Sequence, residues 1–240
     1  VWKIEPTPTF KSTIVDEITC NHIVFYDNNL LANPHIDNIL KEIAVARAKR
    51  RYLRCESQCG LDARLLTEEN AFLLKDAGFI NMRVAWDWDY EDHSIIKRSL
   101  DLLCEAGFRK KDLYVFMIYN WEIPYDEMEK KRLKCWQWKV QVADCRFRPF
   151  DQTIDNYKPL EGQTSAEYFI HPAWTDKQIK QFRKNVRRQN ICVRHGFSFY
   201  SKQLEHKTLD KEKIKTLESV CPTEISRLVP DVWYPSFIVT

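Results

Sequence analysis

Leu74-Lys-Asp-Ala-Gly-Phe79 and Leu103-Cys-Glu-Ala-Gly-Phe108 share one pattern, LxxAGF, at a separation of 29 residues. Each closes a stretch with helical spacing, Thr67 to Ala77 and Glu91 to Ala106. The glycine suits a left-handed C′ position just past a helix end. A β-branched and aromatic run follows each within a few residues: Ile80-Asn-Met-Arg-Val-Ala-Trp86 and Leu113-Tyr-Val-Phe-Met-Ile-Tyr119. A helix plus a strand in about 29 residues is the length of one unit of a parallel sheet.

The same alternation extends outward. His22-Ile-Val-Phe-Tyr-Asp27, Arg51-Tyr-Leu-Arg-Cys55 and Asp144-Cys-Arg-Phe-Arg148 read as further strands. Ile36, Ile39, Leu40, Ile43 and Ala44 sit at helical spacing between Pro34 and Arg50, and Pro124 opens a fourth helix. Alternating strand and helix over residues 22–150 predicts an α/β fold with parallel strands. On spacing alone, an open doubly wound sheet and a (β/α) barrel both remain. After Phe150 the alternation stops. Residues 151–173 read as loop, Thr175 caps a helix running to about His195, and a last helix is expected near Asp210–Val220 before a tail with Pro230 and Pro235. The expected division is a core at 1–150 and a mostly helical extension at 151–240 packed on it.

Composition narrows the function. The 240 residues carry 37 Lys+Arg and 34 Asp+Glu, a net charge of +3, which gives no reason to expect a nucleic-acid or membrane partner from charge alone. The longest purely apolar run, Leu113 to Tyr119, is far short of the roughly 20 residues that span a bilayer. The five glycines are too dispersed for a GxGxxG or Walker A phosphate loop. Eight cysteines without a dense framework or a signal peptide point to free thiols in a reducing cytoplasm.

In parallel α/β folds, ligands sit beyond the carboxyl ends of the strands. The first predicted strand ends in Asp27-Asn28-Asn29. The second is followed by Glu56, Gln58, Asp62 and Arg64, the third by Asp87 and Asp89, the fourth by Asn120 and Glu122. Arg146 and Arg148 end the fifth. For any single strand, such residues serve as helix caps. All five together predict a polar-ligand site on one rim.

The chain resembles the radical S-adenosylmethionine (SAM) enzymes. The resemblance is carried by Ile23-Val-Phe-Tyr-Asp-Asn-Asn-Leu-Leu-Ala-Asn-Pro34, Gly60-Leu-Asp-Ala-Arg-Leu-Leu-Thr67, Met82-Arg-Val-Ala-Trp-Asp87 and the stretch from Arg146 to Pro149, in that order, and covers about residues 20–150. It implies a partial (β/α) barrel of parallel strands. The family binds SAM and a [4Fe–4S] cluster, takes an electron from a reductase, cleaves SAM reductively and abstracts hydrogen from a substrate. Three cysteines in CxxxCxxC hold the cluster and leave one iron open to SAM.

By resemblance, Asp27, Asn28 and Asn29 meet the SAM amino group, and Asp62 is counted with them among the cofactor-binding residues. Arg64 pairs with the SAM carboxylate or ties down its own loop. Asp87 takes a ribose position, Tyr119 and Asn120 end the strand beside adenine, and Arg146 completes the rim. The sequence departs from the family at the cluster: CxxxCxxC belongs just upstream of Val1. The only CxxxC is Cys55-Glu-Ser-Gln-Cys59, with Asp62 in place of a third cysteine. Cys55 and Cys59 are therefore expected to be ordinary thiols, and the chain to be a core lacking its first strand and cluster loop. No metal ligands and no catalytic residue are assigned, and the substrate is unknown.

Two other signals are weighed. Asp87, Asp89, Glu91, Asp92 and His93 form an acidic cluster, which a helix N-terminus favours without any cation. Lys177, Lys180, Lys184, Arg187 and Arg188 share one face of the helix after Thr175. The alternative to a SAM enzyme is a non-catalytic α/β module binding RNA through that stripe, residues 177–188.

Overall fold

The computed structural model describes residues 9–50 and 52–197. The helix expected near Asp210–Val220 and the proline-containing tail lie outside them. Six parallel strands alternate with five long helices: β1 (His22–Phe25), α1 (Ile36–Lys49), β2 (Arg54–Ser57), β3 (Leu61–Asp62), α2 (Glu68–Asp76), β4 (Arg83–Ala85), α3 (His93–Glu105), β5 (Tyr114–Tyr119), α4 (Tyr125–Trp138), β6 (Gln141–Arg146) and α5 (Asp176–His195). β1 pairs with β2, and β3, β4, β5 and β6 form a four-stranded sheet in that order. The pairing passes from one group to the other at Cys55. Its N–H donates to Gly78 O at 3.1 Å, and its carbonyl accepts from Ile80 N–H at 2.9 Å. Strand succession therefore follows chain order with no reversal.

The LxxAGF repeat is a pair of helix caps. Phe79 N–H donates to Leu74 O at 3.1 Å and Phe108 N–H to Leu103 O at 3.0 Å, the six-to-one bond of a Schellman motif. Gly78 and Gly107 supply the left-handed residue, with φ of +80° and +92°. The leucine and phenylalanine of each copy are buried, so the cap also aims the following strand into the core. Thr67 starts α2 with a capping box, exchanging hydrogen bonds with Asn70.

β3 was not expected from the sequence. It is a two-residue continuation of β2 across a break at Gly60, where a Cβ would fall 2.8 Å from that of Ala85. Only glycine lets the chain approach β4 so closely. β6 begins at Gln141, earlier than its apolar pattern suggests, because Gln141 and Val142 pair with Tyr114 and Val115.

The described residues up to His195 form one compact unit, in which α5 packs on β6 and α4. Asn190 of α5 bonds both backbone groups of Val142, N–H to Oδ1 at 2.8 Å and Nδ2 to O at 2.7 Å. Such side-chain bonds blunt an edge strand. The seven cysteines of the described residues carry free thiols. No helix of the described residues is long and apolar enough to cross a membrane.

Candidate functional site

Strand alternation builds the site. Along β5, Val115, Met117 and Tyr119 are buried against the helices, and Phe116 and Ile118 line a cleft on the other face. Ala85 of β4 extends that floor with a small side chain. The cleft has a volume of about 1280 Å³ and opens at the carboxyl ends of β1, β3 and β4. A wall comes from the segment before β1, where Ile14 and Ile18 are buried. Glu42 of α1 fixes that segment, accepting from Thr13 Oγ1 at 2.9 Å and Ile14 N–H at 3.2 Å. Tyr26 and Trp88 stand at the cleft largely exposed, at 76% and 66%.

Six of the nine predicted site residues line this one cleft: Asp27, Asn28, Asn29, Asp62, Arg64 and Asp87. Arg64 and Asp62 are engaged with each other. Arg64 Nε donates to Asp62 Oδ1 at 2.9 Å and Nη2 to Oδ2 at 2.8 Å, while Arg64 N–H also donates to Oδ1 at 3.0 Å. Of the two roles open to Arg64, this is the one that ties down its own loop. The guanidinium holds the Asp62 carboxyl below the ordinary carboxylate range, against burial, which pushes it up. Asn29 Nδ2 also reaches Asp62 Oδ2, at 3.4 Å.

Two residues lining the cleft each carry an acceptor oxygen with no donor. Asn29 Oδ1 and Asp87 Oδ1 are both buried without a hydrogen-bond partner. Burial pushes the Asp87 carboxyl above its ordinary value, and the attraction of Lys131 partly offsets this. A buried acceptor without a partner costs about 1–3 kcal/mol, so the pair is a standing demand for a donor-bearing ligand.

The other three predicted residues lie elsewhere. Tyr119 is one residue past Ile118 and so faces the helices, its ring 5.1 Å from Phe182 and 6.1 Å from Trp174. Arg146 pairs in register with Tyr119 and shares that face. It meets Asp155 at 2.5 Å and stacks over Tyr157 at 4.6 Å. Asn120 is fully buried and bonded to the backbone of Phe147, Phe169 and His171.

Sequence reasoning passed over the floor residues and Lys131. Both β5 parities are apolar, so nothing in Leu113 to Tyr119 says which set faces a cavity. Lys131 had a signal: it sits three residues after Met128 and four before Cys135, on the buried stripe of α4.

Cys55 is enclosed in the core, and burial pushes its thiol up to about 12. Cys59 lines the cleft. Among the described residues, no three His, Cys, Asp or Glu side chains gather as a metal site needs, the Asp87–His93 cluster included. The described residues thus do not fit a [4Fe–4S] cluster. On α5, Lys180 is drawn to Asp176 at 2.5 Å, which thins the basic stripe to exposed Lys177, Lys184 and Arg187 beside half-buried Arg188. Compared with protein-family models and with curated proteins, the chain matches none.

Proposed function

We propose that the cleft binds SAM and that the chain is the core of a radical SAM enzyme built as a partial (β/α) barrel. One observation carries this reading: Asn29 and Asp87, each with an oxygen that lacks a donor, line the same cleft at the carboxyl ends of parallel strands. SAM offers an ammonium and a sulfonium, the charge and the donors that these oxygens lack. The apolar floor of Ala85, Phe116 and Ile118 suits its adenosyl group. A volume of about 1280 Å³ exceeds the roughly 300–1,000 Å³ of ordinary ligand pockets, which leaves space for a second molecule as substrate. Chain-order strand succession favours a barrel over a doubly wound sheet, whose strand order reverses at its switch point. Free thiols suit a reducing compartment such as the cytoplasm.

SAM supplies the chemistry when bound. The chain's own part is to seat the cation against Asn29 and Asp87 and to exclude water with the Ile14–Ile18 wall. Reductive cleavage needs thiolate ligands that the described residues do not bring together, so no step through a cluster is assigned to them.

Isothermal titration with SAM tests the reading. Asp87→Asn removes the charge and weakens binding by about tenfold, the worth of one charge-assisted hydrogen bond. Lys184→Glu, on α5, leaves affinity unchanged. The pH dependence has a definite sign. Asp87 attracts a cation only when ionised, so affinity falls as the pH drops through its raised pKa. Absence of binding, or an Asp87→Asn affinity equal to wild type, contradicts the proposal.

A further inference from the structure

Lys131 is fully buried on α4. A lysine is almost never enclosed unless its ammonium is paired. Its ammonium donates to Trp86 O at 3.0 Å and to Trp88 O, and lies 5.1 Å from the centre of the Trp86 ring. Those two carbonyls stand immediately before and after Asp87. The same helix makes another contact with the turn, for Tyr90 N–H donates to Glu127 Oε1 at 2.9 Å. The turn also binds itself, through Trp86 Nε1 donating to Asp89 O at 3.0 Å. Trp86 then stacks on Trp138 at 5.7 Å. The main chain on both sides of Asp87 is thus clamped, while Asp87 itself lines the cleft and its Oδ1 has no hydrogen-bond partner.

We propose that Lys131 is a positioning residue for the cleft: it fixes the backbone on either side of Asp87 and so holds that carboxylate toward a bound cation, without touching the ligand itself. The inference rests on the reading of the cleft as a SAM site. A buried ammonium is suited to this role because it is a compact point charge with three donors, able to hold two carbonyls at once. The titratable groups facing it are Glu127 and Cys135 of its own helix and Asp87 and Asp89 of the turn. Burial lowers its pKa to about 8 against their attraction, so its charge is lost within an accessible pH range.

The test follows the Asp87 carboxyl carbon by NMR in the full chain, first without ligand, and then measures SAM affinity. Lys131→Met removes a positive charge near Asp87, so the Asp87 midpoint moves upward, and SAM binding weakens by about tenfold. Leu133→Ala, a core change on the same helix, leaves the Asp87 midpoint in place and separates positioning from general destabilisation. Where Lys131→Met does not fold, the wild-type protein decides: its Asp87 carbon shows a second inflection near pH 8 as Lys131 loses its proton. An Asp87 signal that responds to neither the substitution nor the titration overturns the proposal, even if SAM binds more weakly. A responding Asp87 in a protein that does not bind SAM supports the clamp and overturns the cleft reading instead.

Discussion

Glu129→Ala lowers the unfolding free energy by about 4 kcal/mol, the scale of breaking a buried ion pair. Glu129 and Arg132 are 0% and 1% exposed on α4. Arg132 grips the carboxylate with both arms, Nε to Oε1 at 2.9 Å and Nη2 to Oε2 at 2.6 Å. Helix α5 completes the network. Gln189 Oε1 accepts from Arg132 Nη1 at 2.7 Å, its amide returns a bond to Arg132 O at 2.9 Å, and Asn185 Nδ2 reaches Glu129 Oε2 at 3.2 Å. The alanine removes an acceptor from three donors and takes from the enclosed guanidinium the carboxylate that it holds with both arms. Urea unfolding of Glu129→Ala and of the double variant Glu129→Ala/Arg132→Met measures it. The double variant, which removes both halves of the pair, loses less than the single one. A loss below about 1 kcal/mol for Glu129→Ala, the scale of an exposed pair, contradicts the network.

Asn120→Ala costs about 3 kcal/mol, from two sources. The residue holds φ at +60°, where asparagine is tolerated and alanine is strained. Its amide also serves three main-chain groups: Nδ2 donates to Phe147 O at 3.3 Å and Phe169 O at 2.9 Å, and Oδ1 accepts from His171 N–H at 2.9 Å. Asn120 therefore pins the loop after β6 to the end of β5, and its removal takes a partner from three half-buried backbone groups. Asn120→Gly separates the two sources, since glycine accepts the backbone angle but makes no bonds. It is expected to lose less than alanine and still more than 1 kcal/mol. Thermal unfolding of both variants checks the order, and a glycine variant as stable as wild type would show that the three bonds contribute nothing.

Legibility in the sequence followed the physics of each signal. The LxxAGF pair stood out because a Schellman cap needs a glycine and two apolar residues at fixed offsets, a local requirement. The helices were readable because their apolar stripes face a single core, as Ile36, Ile39, Leu40 and Ile43 do on α1. The turns after β1, β3 and β4 were readable because chain direction in a parallel sheet places them at one rim. What sequence could not supply was side-chain parity in strands apolar on both faces. Tyr119 and Ile118 are equally suited to a core, and only the register with β4 and β6 turns one toward Phe182 and the other toward the cleft. Arg146 shared that ambiguity, and its partner Asp155 comes from a loop without any periodic pattern. β3 was hidden because two residues make no pattern, and its existence depends on a glycine meeting Ala85 across the sheet.

The most direct test compares dissociation constants for SAM and for 5′-methylthioadenosine, the same nucleoside without the amino acid and the sulfonium charge. If Asn29 and Asp87 await a cationic donor, SAM binds at least about tenfold more tightly, and Asp87→Asn brings the two affinities toward each other. Equal affinities in the wild-type protein would mean that the cleft recognises an uncharged nucleoside or none, and would contradict the account.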